Sequence, residues 1–326
     1  MKRKGSTALG LCLTLALTPS AFATTTDPQG PVTTTENVAK CTISIGTEIL
    51  DGDTTYRIGY PVTMDGTTYQ GYFPFSELKW PLDVVLARLD GSATFSGGWR
   101  IKGYLKKNLT DPNGNMEDSD WITDSNPSQL DVYSESNISS FDAFIVDIDV
   151  EYTFAEVKNF SFYGGIGYQY QNFSFDANLI NQYSPSGLAG FDYTGDGTVG
   201  ITYEITYQMP YVLLGTDLQV ADNFSLTSSI AFSPFVKASD EDHHLKREYG
   251  GKVTKSDMDG TGIMFNLSGK YNFTPVWYSE LGFQAIKIDV DGNMSQSYVW
   301  YGYFGSNKVE SESTQISGFI NVGANF

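Results

Sequence analysis

Apolar and polar residues alternate with a period of two over long stretches of this sequence, and this pattern constrains the fold most. Between 144 and 154 the even positions are apolar, and Asp147, Asp149 and Glu151 stand at odd positions between them. Successive side chains of a β-strand point to opposite faces, so this stretch predicts a strand with one apolar and one acidic face. No apolar run approaches the ~18 residues of a transmembrane helix. The same alternation recurs in three further segments: 199–213, 263–273 and 316–326.

An apolar face opposite a charged face fits a membrane-spanning β-barrel, with lipid outside and water inside. Aromatic residues make up 14% of the chain, as interfacial girdles require, and the sequence ends on an aromatic residue, Phe326. The alternative is a secreted β-sandwich, whose sheets rarely carry an apolar outer face. The sequence therefore predicts an all-β fold, a ten-stranded antiparallel transmembrane β-barrel of the outer membrane. The ten predicted strands are 41–62, 68–86, 91–108, 140–154, 159–177, 197–219, 224–238, 257–273, 277–292 and 313–326.

The links between the predicted strands fall into two length classes. Those with the sequences RLDG, AEVKN, VADN and TPV are short. In bacterial barrels the periplasmic turns are short and the extracellular loops long, so the long links should face the cell exterior. Several strands exceed the ~9–11 residues that cross a bilayer, which predicts a barrel that projects from the membrane. The long, polar links are 109–139, 178–196, 239–256 and 293–312.

The N-terminus has the pattern of a secretory signal peptide. Three basic residues at positions 2–4 precede a short apolar core, and Ala21-Phe22-Ala23 forms a cleavage site, which predicts a signal peptide over 1–23. A short N-terminal segment, 24–40, would then precede the barrel of 41–326. Removal of three bases and no acids changes the net charge from −18 to 17 − 38 = −21. A chain this acidic repels nucleic acid and attracts cationic partners.

Only two histidines occur in the sequence, and they stand together as His243 and His244 in the stretch SDEDHH. The unperturbed pKa of histidine lies near neutrality, so a carboxylate beside it creates a candidate proton acceptor. A second acidic stretch, GNMEDSDW, contains Asp118 and Asp120. Both stretches lie in long links that are predicted to face the outside medium.

Other interpretations of these acidic stretches remain open. A charge run in a surface loop is usually just solvated. Zinc could be bound by Asp240, Asp242 and the two histidines, although no second set of spaced ligands exists. Calcium loops are suggested by DPNGNMEDSD and DYTGDGTVG, but the glycine comes early in the first, and the second lacks the final acid. We expect no metal site.

Six short stretches resemble the omptin family, the ten-stranded outer-membrane endopeptidases of Gram-negative bacteria. In the order of the family they are ISIGT, SELKW, GNMEDSDW, DSNP, QMPY and SDEDHH. In omptins the second outer loop supplies an Asp-x-Asp pair before a tryptophan, and the fourth supplies Asp-x-His. Asp118 and Asp120 before Trp121 match the first motif. Asp242 and His244 match the second.

The resemblance implies an endopeptidase that hydrolyses peptide bonds with a water activated by aspartate and histidine. His244 would act as the base, and Asp242 would orient it. Asp118 and Asp120 would hold the water from the other wall, and because crowding raises the pKa of one carboxylate, one of them could donate a proton. The expected partners are peptide or protein substrates at the cell surface and outer-membrane lipid, and no nucleic acid.

Omptins that cleave beside basic residues use two acids in the pocket for the basic side chain. Asp240 matches the acid of the fourth outer loop, whereas Tyr56 stands where the first strand should supply a glutamate. Both residues are therefore predicted to bind substrate, with cleavage near basic residues and a relaxed preference.

The family also requires lipopolysaccharide, which is bound partly by basic residues. This chain keeps Tyr168 but has Tyr170 and Asn172 where the family has an acid and an arginine, and Thr206 replaces another arginine. We expect no cofactor, and the requirement for lipopolysaccharide is poorly supported by these residues.

Strand periodicity opposes the assignment of His244. Apolar residues at even positions here are Leu226, Ile230, Phe232 and Val236. Uninterrupted alternation would therefore turn Asp240, Asp242 and His244 outward and His243 into the barrel. The roles implied by the resemblance therefore require a β-bulge or a chain break near 237–240.

A second function is compatible with the same fold. Because a fold does not fix a function, the chain could be a non-catalytic barrel that acts as a porin, an adhesin or a structural protein. The four matching catalytic side chains favour the protease, whereas the missing lipopolysaccharide residues and the missing pocket acid favour the alternative.

Overall fold

The computed structural model describes residues 39–326. The predicted signal peptide, 1–23, and nearly all of the predicted segment 24–40 lie outside the described residues. No helix within 39–326 is long and apolar enough to cross a membrane, a finding that concerns helices only.

The described chain forms fourteen strands, all paired antiparallel in one sheet. The N-terminal half contains β1 (Lys40–Met64), β2 (Thr67–Tyr69), β3 (Ser76–Pro81), β4 (Val84–Thr94), β5 (Trp99–Asn108), β6 (Asn115–Asp120) and β7 (Val132–Val157). The C-terminal half contains β8 (Phe160–Tyr183), β9 (Tyr193–Thr194), β10 (Val199–Ala221), β11 (Phe224–His244), β12 (Lys252–Asn272), β13 (Trp277–Tyr298) and β14 (Gly302–Asn325).

The sheet closes on itself, because β1 pairs with β14 on one side and with β3 and β4 on the other. From β14 the ring runs through β13, β12, β11, β10, β8 and β7 to β5 and β6, which pair with β4 and β3. Closure leaves no free sheet edge along the long strands. The predicted fold class is confirmed: the chain is an all-β barrel of antiparallel strands.

The predicted count of ten strands is wrong: the structure adds two short strands, β2 and β9, and two parts of the barrel wall are each divided into two strands, β3 with β4 and β5 with β6. The predicted strand 68–86 is interrupted between β3 and β4, directly after Pro81. The predicted third strand ends at 108, where β5 also ends, but the barrel wall continues beyond it as β6. A segment that contains Pro112 and Gly114 separates β5 from β6. Proline cannot donate to a strand ladder, which accounts for breaks at these points. The wall contains ten long strands when β3 is counted together with β4 and β5 together with β6.

One half of the barrel carries an apolar belt on its outer face. Ile45 is 69% exposed and lies in register between Val322 of β14 and Leu89 of β4. Leu281 and Ile320 continue the belt as an exposed cross-strand pair. A band of exposed apolar side chains around a closed barrel is the surface that contacts lipid. We call this part the belt half, and the part beyond it, where the strands run on to the long links, the loop half.

The faces of β10 differ from the prediction in the loop half. The alternation in 199–213 was expected to form another apolar outer face, but Tyr203, Ile205, Tyr207 and Met209 point inward and are almost fully buried. Beyond the belt the outside of the strand meets water, so its apolar side chains are stabilised inside the barrel instead. Alternation therefore separates the two faces of a strand without saying which face is inside.

Charged and amide side chains fill the interior of the belt half. Glu48 accepts hydrogen bonds from Arg88 at 2.6 Å and from Lys106 at 2.8 Å, and Lys106 also donates to Gln284 at 2.8 Å. The three charged residues are buried. A cavity of 320 Å³ lies beside them and is lined in part by Arg88 and Gln284.

Candidate active site

The loop half brings the predicted catalytic residues onto two walls of the barrel. Asp118 and Asp120 belong to β6, where pairing with β3 sets them opposite Leu78 and Ser76. The sequence predicts a loop over 109–139, but the structure has strands here, because β6 and the start of β7 extend the barrel wall past the belt. The two aspartates are thus fixed on a sheet.

A β-bulge in β11 reverses the facing of the second half of this strand. The pairing of β11 with β12 shifts register between Ser233 and Val236, and Val236, expected to face lipid, is fully buried inside. Pro234 lies within the bulge and has no N–H to donate to a neighbouring strand, which accounts for the interruption. The bulge that the omptin interpretation requires is present, a few residues before the predicted 237–240.

Beyond the bulge, the aspartates of β11 point into the barrel. Asp240 and Asp242 are 6% and 1% exposed. The side chain of His244 is 14% exposed, whereas that of His243 is 35% exposed and contacts Glu241. His244 therefore stands with the aspartates, as the resemblance implies and uninterrupted alternation does not.

One carboxylate oxygen of Asp242 binds two partners. His244 Nε2 lies 3.0 Å from Asp242 Oδ2, and the hydroxyl of Tyr56 donates to the same oxygen. Burial raises the pKa of Asp242, but the charge of His244 and the hydrogen bonds from His244 and Tyr56 outweigh it and hold this pKa below its usual range. Asp242 is therefore a carboxylate that orients His244.

Asp118 and Asp120 favour the protonated form instead. Burial, followed by the charges of Asp120 and Asp242, raises the pKa of Asp118 well above its usual range. Burial also raises the pKa of Asp120, although a hydrogen bond from Ser76 opposes the shift. Asp118 Oδ1 is buried without a hydrogen-bond partner. Two such carboxyl groups titrate as a pair, so one of them retains a proton where an isolated aspartate would have lost it.

Asp240 lies one step deeper in the barrel than Asp242. Its Oδ2 accepts a hydrogen bond from the hydroxyl of Tyr203 at 3.4 Å, and its Oδ1 is buried without a partner. Burial raises the pKa of Asp240 to about 7, and the charge of Asp242 adds to the shift. Near neutral pH this carboxyl group can therefore change charge when a cation approaches.

Aromatic rings pack across the lumen next to these acids. The rings of Tyr56 and Tyr203 lie 5.2 Å apart, and Trp80 stacks on Tyr203 at 5.0 Å and contacts Phe175 at 5.1 Å. These side chains come from β1, β3, β8 and β10 and are almost fully buried. They form a floor that links the two walls and separates the site from the interior of the belt half.

Two cations near the site were missed by the sequence reasoning. Lys252 pairs with His244 across β11 and β12, and burial lowers its pKa despite the nearby carboxylates. The charges of Lys252 and Arg247 act on Asp118 and Asp120. Both cations lie in the segment 239–256, where the alternation gave no indication of which side chains face the barrel.

The arrangement can transfer protons between two walls. A carboxylate–imidazole pair stands on one wall, and a carboxyl pair that retains one proton stands on the other. Together the two pairs can activate a water molecule on one side and stabilise an oxyanion on the other. Among residues 39–326, no group of three or more His, Cys, Asp or Glu side chains has a geometry that could hold a metal ion.

The residues that the resemblance aligns with the lipopolysaccharide-binding positions of omptins lie on the outer surface. Tyr168 donates to Gln208 at 3.0 Å, and Asn172 donates to Thr206 and Glu204 at 2.9 Å each. These contacts join neutral and acidic groups, and they supply no cation for a phosphate.

Residues 40–285 match the family model described as the Omptin family. The chain is similar to the plasminogen activator of Yersinia pestis, with 28% identity over 209 residues that cover 61% of this chain and 63% of that protein. The chain thus spans less than two thirds of that relative. It is also similar to Protease 7 of Escherichia coli O157:H7, with 27% identity over 285 residues that cover 82% and 81% of the two proteins.

A solved structure has the same fold. The crystal structure of the outer membrane protease OmpT from Escherichia coli superposes with a TM-score of 0.73 at 20% sequence identity. The superposition covers 88% of this chain and 97% of that chain. This likeness shows that the barrel is built in the same way.

Proposed function

The chain belongs to the omptin family, and from this premise we propose that it is an endopeptidase that hydrolyses peptide bonds with a water activated by aspartate and histidine. The family and the barrel fold indicate the bacterial outer membrane. The relative named Protease 7 supports the activity. The observation that carries the mechanism is the Asp242–His244 pair, joined at 3.0 Å in the half of the barrel that also holds Asp118 and Asp120.

In the proposed mechanism His244 is the base. Its Nε2 donates to Asp242, so the neutral ring carries its lone pair on Nδ1. Nδ1 removes a proton from a water molecule, and the water oxygen attacks the peptide carbonyl carbon. Asp242, held as a carboxylate, stabilises the imidazolium that forms.

The carboxyl pair would act on the other side of the scissile bond. The member of the Asp118–Asp120 pair that carries a proton donates a hydrogen bond to the oxyanion of the tetrahedral intermediate, and the other orients the water. When the intermediate collapses, the carbon–nitrogen bond breaks and the imidazolium returns its proton to the leaving amine. The cycle needs no metal or cofactor.

Cleavage near basic residues is part of the proposal. Asp240 supplies a buried carboxyl group with an unpartnered oxygen to receive an ammonium or guanidinium group, and Tyr56 supplies a ring. A net charge of −18 over the whole chain also draws cationic peptides. With one pocket acid instead of two, the preference should be relaxed.

The partners follow from the same proposal. The long links face the cell exterior and meet peptide or protein substrates there, the belt contacts outer-membrane lipid, and nucleic acid is not a partner. Lipopolysaccharide has a weaker role than the family requires, since Asn172 and Thr206 stand where cations would bind its phosphates. Hydrolysis by protein refolded with and without lipopolysaccharide should then differ by less than about tenfold, whereas a strict requirement would abolish activity in its absence.

A porin is the main alternative, and the interior of the belt half argues against it. Arg88 and Lys106 both donate hydrogen bonds to Glu48 inside the lumen, and an aromatic floor lies above them. A non-catalytic adhesin has no specific observation in its favour.

The decisive experiment is to incubate refolded protein with a mixed peptide library and to identify the products by mass spectrometry. Cleavage that is lost in Asp242→Asn, a variant that keeps the shape of the site, supports the proposal. A correctly folded protein that cleaves no peptide would overturn it.

The orientation of the barrel is tested separately on intact cells. In a Cys41→Ser background, Ser125→Cys labels the loop end and Asp222→Cys labels the turn between β10 and β11, both at exposed positions. A membrane-impermeant maleimide should modify Ser125→Cys and spare Asp222→Cys. The reverse result would invert the topology.

A further inference from the structure

We infer that Tyr56 is a positioning residue: its hydroxyl holds the Asp242 carboxylate by a hydrogen bond from the opposite wall. This bond fixes the distance between the Asp118–Asp120 wall and the Asp242–His244 wall. The inference rests on the proposed function, because Asp242 matters to hydrolysis only if the Asp242–His244 pair activates water. It differs from the expected role of Tyr56 in substrate binding, since it concerns the hydroxyl group and not the ring.

The contact between Tyr56 and Asp242 crosses the barrel. Tyr56 lies in β1 and Asp242 in β11, and the strands β14, β13 and β12 stand between them along one side of the ring. The two residues are 186 positions apart in the chain. A side-chain hydrogen bond of this kind ties two walls that no backbone ladder joins directly.

Tyr56 stands on the same wall as the carboxyl pair. In the strand register Tyr56 of β1 is opposite Leu78 of β3, and Leu78 is opposite Asp118 of β6. Neighbouring strands lie ~4.8 Å apart, so Tyr56 and Asp118 are about 10 Å apart in one row across the wall. The hydrogen bond from the Tyr56 hydroxyl to Asp242 therefore connects the wall that carries Asp118 and Asp120 to the wall that carries Asp242 and His244.

The hydroxyl also completes the environment of Asp242. Asp242 Oδ2 binds both His244 and Tyr56, whereas its Oδ1 is buried without a partner. Without the hydroxyl, only His244 would hold a carboxylate that is 1% exposed. A buried anion that loses a donor becomes easier to protonate and freer to rotate, and both changes weaken its hold on the imidazole.

The burial of Tyr56 supports a fixed role. The residue is 1% exposed, and its ring packs against Tyr203 at 5.2 Å in the floor of the site. The ring therefore keeps its place when the hydroxyl is removed, and Tyr56→Phe isolates the hydrogen bond. Burial and the charge of Asp242 raise the pKa of Tyr56 well above its usual range, so the hydroxyl keeps the proton that it donates.

The test compares Tyr56→Phe with Tyr207→Phe in refolded full-length barrel. Tyr207 is an equally buried tyrosine of β10 whose hydroxyl also crosses the lumen, where it bonds Thr54 at 2.8 Å and Ser311 at 3.2 Å without contacting the catalytic residues. Tyr56→Phe should lower kcat about tenfold or more and change KM by less than about twofold, because a hydrogen bond to a charged group is lost at the reacting centre. Tyr207→Phe should leave both constants within about twofold.

The pH profile separates positioning from loss of stability. The hydrogen bond from Tyr56 helps to lower the pKa of Asp242, so without it the carboxylate is a stronger proton acceptor. The Asp242–His244 pair should then take up a proton at higher pH, and the acid limb of kcat/KM should move to higher pH. Tyr207→Phe should not move this limb. A Tyr56→Phe protein with unchanged kcat and an unchanged acid limb would overturn the inference.

A readout independent of turnover distinguishes this inference from the proposed function. The chain has only two histidines, so ¹⁵N-histidine labelling gives one set of ring signals each for His243 and His244. Tyr56→Phe should shift the His244 signals and leave those of His243 in place, whereas Tyr207→Phe should shift neither. If His244 shifts in a protein that cleaves nothing, the positioning contact stands and the proposed function fails. If the protein is active but His244 does not shift, the positioning role is wrong.

Discussion

Buried charges occur in both halves of the barrel, but the Glu48 network and the acids of the candidate site are arranged in opposite ways. In the belt half Glu48 contacts Arg88 at 2.6 Å and Lys106 at 2.8 Å, and Glu151 contacts Lys102 at 2.6 Å. In the loop half, no lysine or arginine of the described chain forms a salt bridge with Asp118, Asp240 or Asp242, and each of these three acids has a buried oxygen without a hydrogen-bond partner.

The difference separates a structural network from a reactive one. A buried charge that lacks a partner destabilises the fold, whereas a paired one is at best neutral. In the belt half the network of Glu48, Arg88 and Lys106 pairs its charges and loses stability when one partner is removed, although Asp149 in the same half also has a buried oxygen without a hydrogen-bond partner. The loop half leaves its acids short of partners, and this is the condition that shifts pKa values and prepares groups for proton transfer.

The largest expected effect concerns the reactive network. His244→Ala should lower peptide hydrolysis by about 10²-fold or more, since a general base contributes on that order, and so should alanine at Asp118, Asp120 or Asp242. His243→Ala is the matched control, because this side chain contacts Glu241 on the other face of β11. Heat-resistant migration on gels would confirm that each variant folds. Loss of activity in His243→Ala with full activity in His244→Ala would contradict the assignment.

A substitution in the charge network of the belt half should change the stability of the protein and not its activity. Glu48→Gln leaves Lys106 buried without a carboxylate, which should lower the free energy of unfolding by about 3 kcal/mol or more. Asp118→Asn should instead change it by less than about 1 kcal/mol or increase it, because a repelling carboxylate is removed.

Denaturant unfolding of protein refolded in lipid measures both changes. Peptide hydrolysis by folded Glu48→Gln should remain within about twofold of the unmodified protein. If Asp118→Asn were the more destabilising variant, the two halves would not differ as argued.

A smaller effect is expected from the pH dependence of stability in the loop half. Asp240 has a pKa of about 7 in the folded protein and an ordinary value when unfolded, so the folded state binds a proton that the unfolded state has lost. The free energy of unfolding should therefore fall as pH rises, by at most about 3 kcal/mol between pH 5 and pH 7. Asp240→Asn should flatten this dependence in denaturant titrations at both pH values. An equal slope in both proteins would show that Asp240 is ionised throughout this range.

Alternation predicted much of the belt half from sequence, because lipid and water each select the residues that face them. The acids between 147 and 151 point inward and Ile148 outward, as expected. The bulge in β11 had a local signal, Pro234, but the apolar pattern around it favoured an uninterrupted strand. The inward apolar face of β10 could not be told from a lipid-facing one, since both are apolar at every second position.

The site was predicted by resemblance and not by pattern. No local feature indicates that Tyr56 meets Asp242, because closure of the ring creates the contact between distant strands. Lys252 was missed for the same reason. Its position beside His244 depends on the register between β11 and β12, in a segment that was predicted to be a loop. Chemistry assembled from separate strands requires the three-dimensional structure.

The smallest expected effect concerns substrate preference, and it separates the two residues predicted to bind substrate. Asp240→Asn removes the one pocket acid and should lower the ratio of kcat/KM for Arg over Phe at the cleaved position by about tenfold, roughly the 1.4 kcal/mol of one partly screened charge contact. Tyr56→Phe keeps its ring, whose cation–π contact is worth only ~0.5–2 kcal/mol, so it should lower the rates for Arg, Phe and Ala peptides alike and leave their ratio unchanged. Matched peptides assayed with both variants and the unmodified protein provide the measurement. If the unmodified protein prefers Arg by more than about 10³-fold, a second acid must contribute to the pocket, because one carboxyl group and one ring do not supply that discrimination.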